Sequence, residues 1–198
     1  MNLQIEDKDL ILDIVTVDGV GVDDLKILCS YAAKSKEILE TGTRYGRTTV
    51  NLAKFCPTDG RVVSIDLNQS DAHKTLATMP DDIKKKVTLI QHDTNSFDFS
   101  TIGRFDLVFI DGDHSADGAN SDTLNAVKVL KPGGVIIWHD FMSLPIAVGL
   151  YAIQISKVQL GRSMGISWGE FNKNVPNSTR NDHLSIVRNW ITQYLEKQ

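Results

Sequence analysis

Twelve residues, Lys36–Arg47 (KEILETGTRYGR), constrain this chain more than any other stretch. Glu37–Thr41 is short and apolar in its middle, the pattern of a buried strand in a parallel sheet. Gly42 and Gly46 bracket a turn where the backbone bends tightly and lets a ligand come close. Thr48, Thr49, Val50, Leu52, Ala53 and Phe55 then carry an apolar helical face. Strand, glycine turn and helix form the unit from which open α/β sheets build a nucleotide or cofactor pocket.

The rest of the chain repeats that unit. Arg61–Asp66, Val87–Gln91, Phe105–Asp111 and Val135–Trp138 read as four more strands. Helices are predicted over Ser70–Met79 and Ala119–Leu130, with a break at Pro80-Asp81-Asp82 and a stop at Lys131-Pro132-Gly133-Gly134. This alternation predicts an α/β fold: a Rossmann-like, doubly wound, mostly parallel sheet with helices on both faces and right-handed crossovers. Residues 1–35 read as a lead-in, with a helix opening at Val22-Asp23-Asp24 that packs on the sheet edge and covers part of the pocket. Beyond Pro145 the pattern weakens. A helix over Ile146–Ile155, an antiparallel edge pair from Lys157–Leu160 and Ile166–Phe171, a loop over Asn172–Asp182 and a helix over His183–Lys197 are expected. Trp168, Phe171 and Trp190 read as core. A length of 198 residues suits one domain, divided into the lead-in, a cofactor-binding core at 36–141 and a substrate-side and C-terminal part at 142–198.

Composition narrows the partners. The net charge of -4 gives no global attraction to nucleic acid or an anionic membrane. The largest basic run, Lys84-Lys85-Lys86, reads as a solvated face. Cys29 and Cys56 form no CxxC or Cys/His grouping, so buried free thiols in a reducing compartment are expected. The N-terminus is acidic and lacks a signal-peptide pattern, and no apolar run approaches the ~20 residues of a membrane helix. A cytoplasmic protein acting on a small molecule is expected; a homo-oligomer stays open.

A parallel sheet binds at the carboxyl ends of its strands. There the sequence places Glu40 and Thr41, Asp66, His92-Asp93, Asp111 and His139-Asp140. A nicotinamide dinucleotide needs a G-x-G-x-x-G cradle for its pyrophosphate. Here Arg44 stands where the second glycine belongs, and no tyrosine has the lysine four residues on that short-chain dehydrogenases use. An acidic rim suits S-adenosylmethionine better, since that cofactor has no phosphate but has a ribose diol, an adenine, an amino-acid head and a sulfonium cation. Asp66, just over 20 residues past the turn, is where a carboxylate takes ribose hydroxyls.

Glu40-Thr41-Gly42-Thr43-Arg44-Tyr45-Gly46 resembles the E-x-G-x-x-x-G motif of class I S-adenosylmethionine-dependent methyltransferases. Ile110-Asp111-Gly112-Asp113-His114, Leu130-Lys131-Pro132-Gly133-Gly134 and His139-Asp140 resemble one branch, the small O-methyltransferase-like family with I-D-G-D-H and L-K-P-G-G…H-D elements. The resemblance covers roughly Glu37 to Phe141. It implies that Gly42, Thr43, Tyr45 and Gly46 cradle the methionine half, that Glu40 lies near its ammonium, and that Asp66 holds the ribose. It further implies that Asp93 or Thr94 reads the adenine and that Asp111 borders the cofactor.

Three readings of the far rim stay open. Asp111, His139 and Asp140 hold Mg²⁺ or another divalent metal, as in metal-dependent relatives. Alternatively His139 or His114, beside Asp111, is a metal-free general base. In the third reading Asp113-His114 only caps the next helix. The resemblance implies O-methylation of a small hydroxylated molecule such as a sugar or phenol. N-methylation on the same fold, or a non-catalytic S-adenosylmethionine-binding module, are the alternatives.

Overall fold

Ile38 and Leu39 are adjacent in sequence, both fully buried, and belong to different core clusters, so the first strand has a packed layer on each side. The structure, a computed structural model, describes residues 4–14, 19–140, 158–160 and 165–168. The helices expected over Ile146–Ile155 and His183–Lys197 and the loop at Asn172–Asp182 lie outside the described residues, as do Phe171 and Trp190.

In chain order the elements are a 3-10 turn at Asp7–Asp9, α1 (Val22–Ala32), β1 (Glu37–Thr41), α2 (Arg47–Phe55), β2 (Arg61–Asp66), α3 (Ser70–Thr78), α4 (Asp81–Lys84) and β3 (Val87–Gln91). A second 3-10 turn at Phe99–Thr101, then β4 (Phe105–Ile110), α5 (Ala116–Val129), β5 (Leu130–Trp138), β6 (Val158–Leu160) and β7 (Gly165–Trp168) follow. The sheet order is β3-β2-β1-β4-β5-β7-β6. The five strands from β3 to β5 are parallel. β7 runs antiparallel to β5, and β6 antiparallel to β7. From β1 the chain winds outward through β2 and β3, then returns to place β4 on the other side of β1. That reversal is the switch point at which open α/β sheets bind ligands.

One face of the sheet is covered by α1 and α2, whose Leu25, Leu28, Cys29, Val50 and Leu52 share a core with Ile38, Leu107, Phe109 and Ile137. α1 therefore belongs to this face layer beside α2; the expected place at the sheet edge is corrected. On the opposite face Ala119, Ala126 and Val129 of α5 pack with Leu39, Val108, Ile136 and Trp138, and the Trp138 indole donates a hydrogen bond to Thr123 Oγ1 at 2.9 Å.

Several local expectations change. β5 starts at Leu130, ahead of the expected Val135, because Lys131-Pro132-Gly133-Gly134 is taken into the strand. The register passes from Phe105↔Leu130 to Leu107↔Val135, and Gly133 adopts φ 77° within the irregularity. The break at Pro80-Asp81-Asp82 opens the one-turn helix α4, which carries Ile83 into the core. Both cysteines are buried free thiols, and burial pushes Cys29 up to about 12.

The basic run is not uniformly solvated. Lys86 is buried and its ammonium donates to the carbonyls of Ala53 and Cys56, both at 3.0 Å, closing the C-terminal end of α2 where helix carbonyls lack partners. Lys86→Met is expected to lower stability by on the order of 2 kcal/mol, read as a shifted urea midpoint with an unchanged slope; an unmoved midpoint would mean that the cap contributes nothing.

Candidate active site

Segments at the carboxyl ends of β1, β2, β3 and β4 enclose a cavity of about 510 Å³. Its walls are Gly42–Tyr45 with Arg47 and Thr48, Ile65–Leu67, His92–Asn95, and Asp111–His114. Gly19 and Val20, ahead of α1, add a fifth wall, so the lead-in does reach the cavity. Arg47 donates to the Val20 carbonyl and ties that wall to α2.

The glycine turn is shaped from inside the protein. Gly42 has φ 89°, and a Cβ there would lie 2.0 Å from the carbonyl oxygen of Asp111. Gly46 has φ 76°, and its Cβ would lie 3.2 Å from Ala72 of α3. Both glycines are required by the approach of neighbouring elements, in addition to any ligand. Asp66 finishes the turn: its Oδ2 accepts the backbone N–H groups of Thr43 and Arg44, both at 2.8 Å, and its Oδ1 accepts that of Asn68 at 3.1 Å. The acid after β2 thus holds the turn after β1 while lining the cavity. Tyr45 lies on the wall with the Arg44 guanidinium 5.2 Å from its ring centre.

Glu40 is placed elsewhere than expected. It does not line the cavity. Its side chain is fully buried, with the Thr49 and Ser64 hydroxyls donating to Oε2. Burial pushes its pKa up to about 8, against the opposing effect of those two hydrogen bonds. Alternation decides this. β1 side chains point to opposite faces in turn, and position 40 projects into the layer containing α2, away from the strand end. The network continues from Ser64 to Thr43 Oγ1 at 2.6 Å, and Gln69 Nε2 donates to Thr43 Oγ1 at 2.8 Å and to the carbonyls of Ser64 and Ile90. Thr49, Ser64 and Gln69 escape a motif-based reading. One signal was present: Glu40 and Ser64 are polar interruptions of two adjacent apolar strands, and they are register partners.

Asp93 and Thr94 both line the cavity. Asp93 Oδ1 accepts the Asn95 N–H at 2.9 Å. Beneath them Asp122 of α5 is buried, and a Cβ on Gly112 would come within 2.7 Å of its Oδ2. Burial raises its pKa, while the hydroxyls of Thr94 and Thr41 act to lower it.

At the far rim Asp111, His114, His139 and Asp140 converge, with one ligating atom from each within 4.8 Å of all the others. Asp111 Oδ1 lies 3.2 Å from His114 Nε2 and 3.0 Å from His139 Nδ1; Asp140 Oδ2 lies 3.3 Å from His139 Nδ1 and 3.6 Å from His114 Nδ1. Burial pushes the Asp111 carboxyl up, but the two imidazoles more than reverse this and hold it below the usual range. His114 is raised by its bond to Asp111; His139 is lowered by burial but raised on balance by Asp111 and Asp140. Helix capping does not explain His114. Ser115 is the N-cap of α5, accepting the Gly118 N–H at 3.0 Å, and Asp113 accepts from the Ser115 N–H and hydroxyl. His114 is left facing the cavity, its side chain 49% exposed.

A parallel sheet with its switch point between β1 and β4, a glycine turn after β1 and an acid after β2 define the class: a Rossmann-like cofactor-binding enzyme. Residues 39–141 match the family profile described as a methyltransferase domain. The chain belongs to that family and is an S-adenosylmethionine-dependent methyltransferase of class I. No curated protein matches it by sequence. Among solved structures, cofactor-bound Rv0187 from MTB aligns with a TM-score of 0.64 at 19% identity, over 78% of this chain and 83% of that one. The O-methyltransferase from Bacillus cereus, in complex with SAH, aligns at 0.62 and 21% identity, over 78% and 84%. The N-methyltransferase NodS from Bradyrhizobium japonicum WM9, also in complex with SAH, aligns at 0.54 and 17%, over 74% and 86%. At these identities the likeness is one of fold. Among the described residues, no helix is long and apolar enough to cross a membrane.

Proposed function

We propose that this enzyme transfers the methyl group of S-adenosylmethionine to a hydroxyl oxygen of a small acceptor such as a sugar or phenol. The observation that carries this reading is the Asp111–His114–His139–Asp140 cluster, which meets the cofactor cavity at Asp111 and His114. Sulfonium methyl transfer is an in-line exchange between two nucleophiles, so positioning and removal of the acceptor proton dominate.

The cavity fits the cofactor. Asp66, Asp93, Asp111 and Asp113 line it, against two arginines and no lysine; Arg47 is turned to the Val20 carbonyl and Arg44 lies against the Tyr45 ring. In this reading Asp66 holds the ribose, Asp93 or Thr94 meets the adenine, and the Gly42–Gly46 turn holds the methionine half. With Glu40 inside the protein, negative charge toward the sulfonium side comes from Asp111. The far cluster holds the acceptor oxygen, and its carboxylates take the hydroxyl proton and pass it to solvent as the S–CH₃ bond breaks and the O–CH₃ bond forms, leaving neutral S-adenosylhomocysteine. The donor set also fits a cation, because His139 Nδ1 is buried between two carboxylates without an aligned hydrogen bond. Asp111, His139 and Asp140 would hold a divalent metal there, which would supply Lewis acidity that lowers the pKa of the hydroxyl.

Calorimetry should show binding of S-adenosylmethionine and none of NAD; the reverse overturns the cofactor assignment. His139→Ala and Asp140→Ala are expected to keep that binding while lowering turnover by about 10²-fold or more. Asp111→Ala is expected to lower turnover at least as far. The assay is release of S-adenosylhomocysteine with a panel of phenols and sugars. Turnover that survives all three changes removes the cluster from the mechanism.

A further inference from the structure

We infer that His114 is a fourth ligand of the far-rim site, and that the site is built for a first-row transition cation rather than Mg²⁺. This rests on the reading above in one respect only, that the cluster serves the acceptor side of the cavity.

Three independent observations carry it. First, four donors from three segments meet: Asp111 after β4, His114 before α5, and His139 and Asp140 after β5, all within 4.8 Å of one another. With bonds of about 2.1 Å, neighbouring donors of a tetrahedral site stand about 3.4 Å apart and opposite donors of an octahedral one about 4.2 Å, so sub-ångström shifts of each side chain close the site. Second, His139 is 8% exposed, and its Nδ1 stands 3.0 Å from Asp111 Oδ1 and 3.3 Å from Asp140 Oδ2 without the alignment of a hydrogen bond. A buried polar atom so placed is satisfied by a proton or a cation held between it and the two carboxylates. Third, Asp140 adopts φ 47°, a left-handed conformation that L-residues other than asparagine and aspartate seldom take. In that conformation its carboxylate reaches both imidazoles. The start of α5 does not account for the position of His114, because Ser115 and Asp113 perform the capping.

The donor set determines the metal. Mg²⁺ prefers oxygen ligands and retains its waters. Two imidazoles and two carboxylates suit Mn²⁺, Fe²⁺, Co²⁺ or Zn²⁺. Mn²⁺ and Fe²⁺ readily take two further ligands, which leaves room for an acceptor oxygen.

The test uses the full chain stripped with chelator. Co²⁺ is titrated while its visible d–d absorption is recorded, and Mn²⁺ and Mg²⁺ are titrated by calorimetry. One Co²⁺ per chain is expected, with Mg²⁺ bound at least about 100-fold more weakly than Mn²⁺. His114→Ala should weaken Co²⁺ at least about tenfold and change the Co²⁺ spectrum. His114→Asn, which keeps a neutral polar side chain, should behave likewise. S-adenosylmethionine binding and the thermal midpoint of each variant serve as fold controls. Equal affinity for Mg²⁺ and Mn²⁺ in the unaltered chain overturns the inference without recourse to any variant, as does a Co²⁺ spectrum indifferent to both changes at His114. If transition-metal binding is as described but turnover ignores Asp111, His139 and Asp140, the O-methylation reading fails and the metal site stands. If no metal binds and turnover still depends on those three, the metal site fails and the reading stands.

Discussion

Gly42→Ala is expected to leave little folded protein. A Cβ at this position would lie 2.0 Å from the Asp111 carbonyl oxygen and 2.4 Å from its carbon, and the backbone stands at φ 89°. Neither obstacle can yield, because the Asp111 N–H donates to Thr41 O at 2.8 Å and the Gly42 N–H to Ile65 O at 2.9 Å. These two bonds lock the ends of β1, β2 and β4 together at the switch point. The destabilisation should exceed roughly 4 kcal/mol, seen as loss of soluble protein or a collapsed thermal midpoint. Gly133→Ala is the matched control. Its φ is also positive, at 77°, but nothing lies within 4 Å of a Cβ there, so about 1 kcal/mol is expected. A Gly42→Ala protein that folds normally and fails only to bind S-adenosylmethionine would show that this glycine serves the ligand alone.

The second large effect concerns pH. Glu40 has an ordinary value of 4.5 and is pushed to about 8 in the fold, first by burial, with the neighbouring acids Asp111 and Asp66 adding to the shift and the Ser64 and Thr49 hydroxyls opposing it. The folded chain therefore keeps a proton that the unfolded chain releases between those two values. The contribution of Glu40 to stability is full below the lower value, falls as pH rises through the window, and levels off above the upper one. Each pH unit is worth at most about 1.4 kcal/mol, and a total loss of roughly 3 kcal/mol is expected after relaxation around the charge. Glu40→Gln should remove this slope. Measured by urea unfolding, the variant should match the parent near pH 5 and be more stable at pH 8.5, with S-adenosylmethionine affinity changed by less than about threefold. Parallel profiles in the two proteins would mean that Glu40 is ionised in the fold. A large loss of affinity would restore it to the cofactor site.

Both predictions fall on residues of one motif, and they show how far a motif can be read. The strands at Glu37–Thr41 and Arg61–Asp66 are legible to the residue, because a doubly buried parallel strand must be a short apolar run between turns; Val87–Gln91, an edge strand with no buried residue, is legible from its β-branched run after the break at Pro80. The cavity wall is legible where residues end strands, as at Asp66 and Asp111. Side-chain destination is less so. Glu40 is one residue inside the strand end, and a change of one position turns a strand side chain to the other face. Lys86 is the same lesson on a basic run, since its ammonium is claimed by two helix carbonyls 30 or more residues away. His114 is a third case. In sequence it looks like part of a helix start, until Ser115 is seen to perform that task.

The local pattern by itself determined the α/β class, the strand order of binding elements along the chain, and a rim of acids after successive strands. These follow from hydrophobic period and turn chemistry, which act over a few residues. Only the tertiary structure decided which of those residues meet. Parallel pairing brings the ends of β1 and β4 together across about seventy residues of chain, closing Gly42 onto Asp111, and the α5 crossover carries His139 and Asp140 back beside Asp111 and His114. Such convergence depends on register and crossover, and no short-range signal encodes it. The Lys36–Arg47 segment therefore specifies a cofactor pocket, while the chemistry at its far rim is assembled by the sheet.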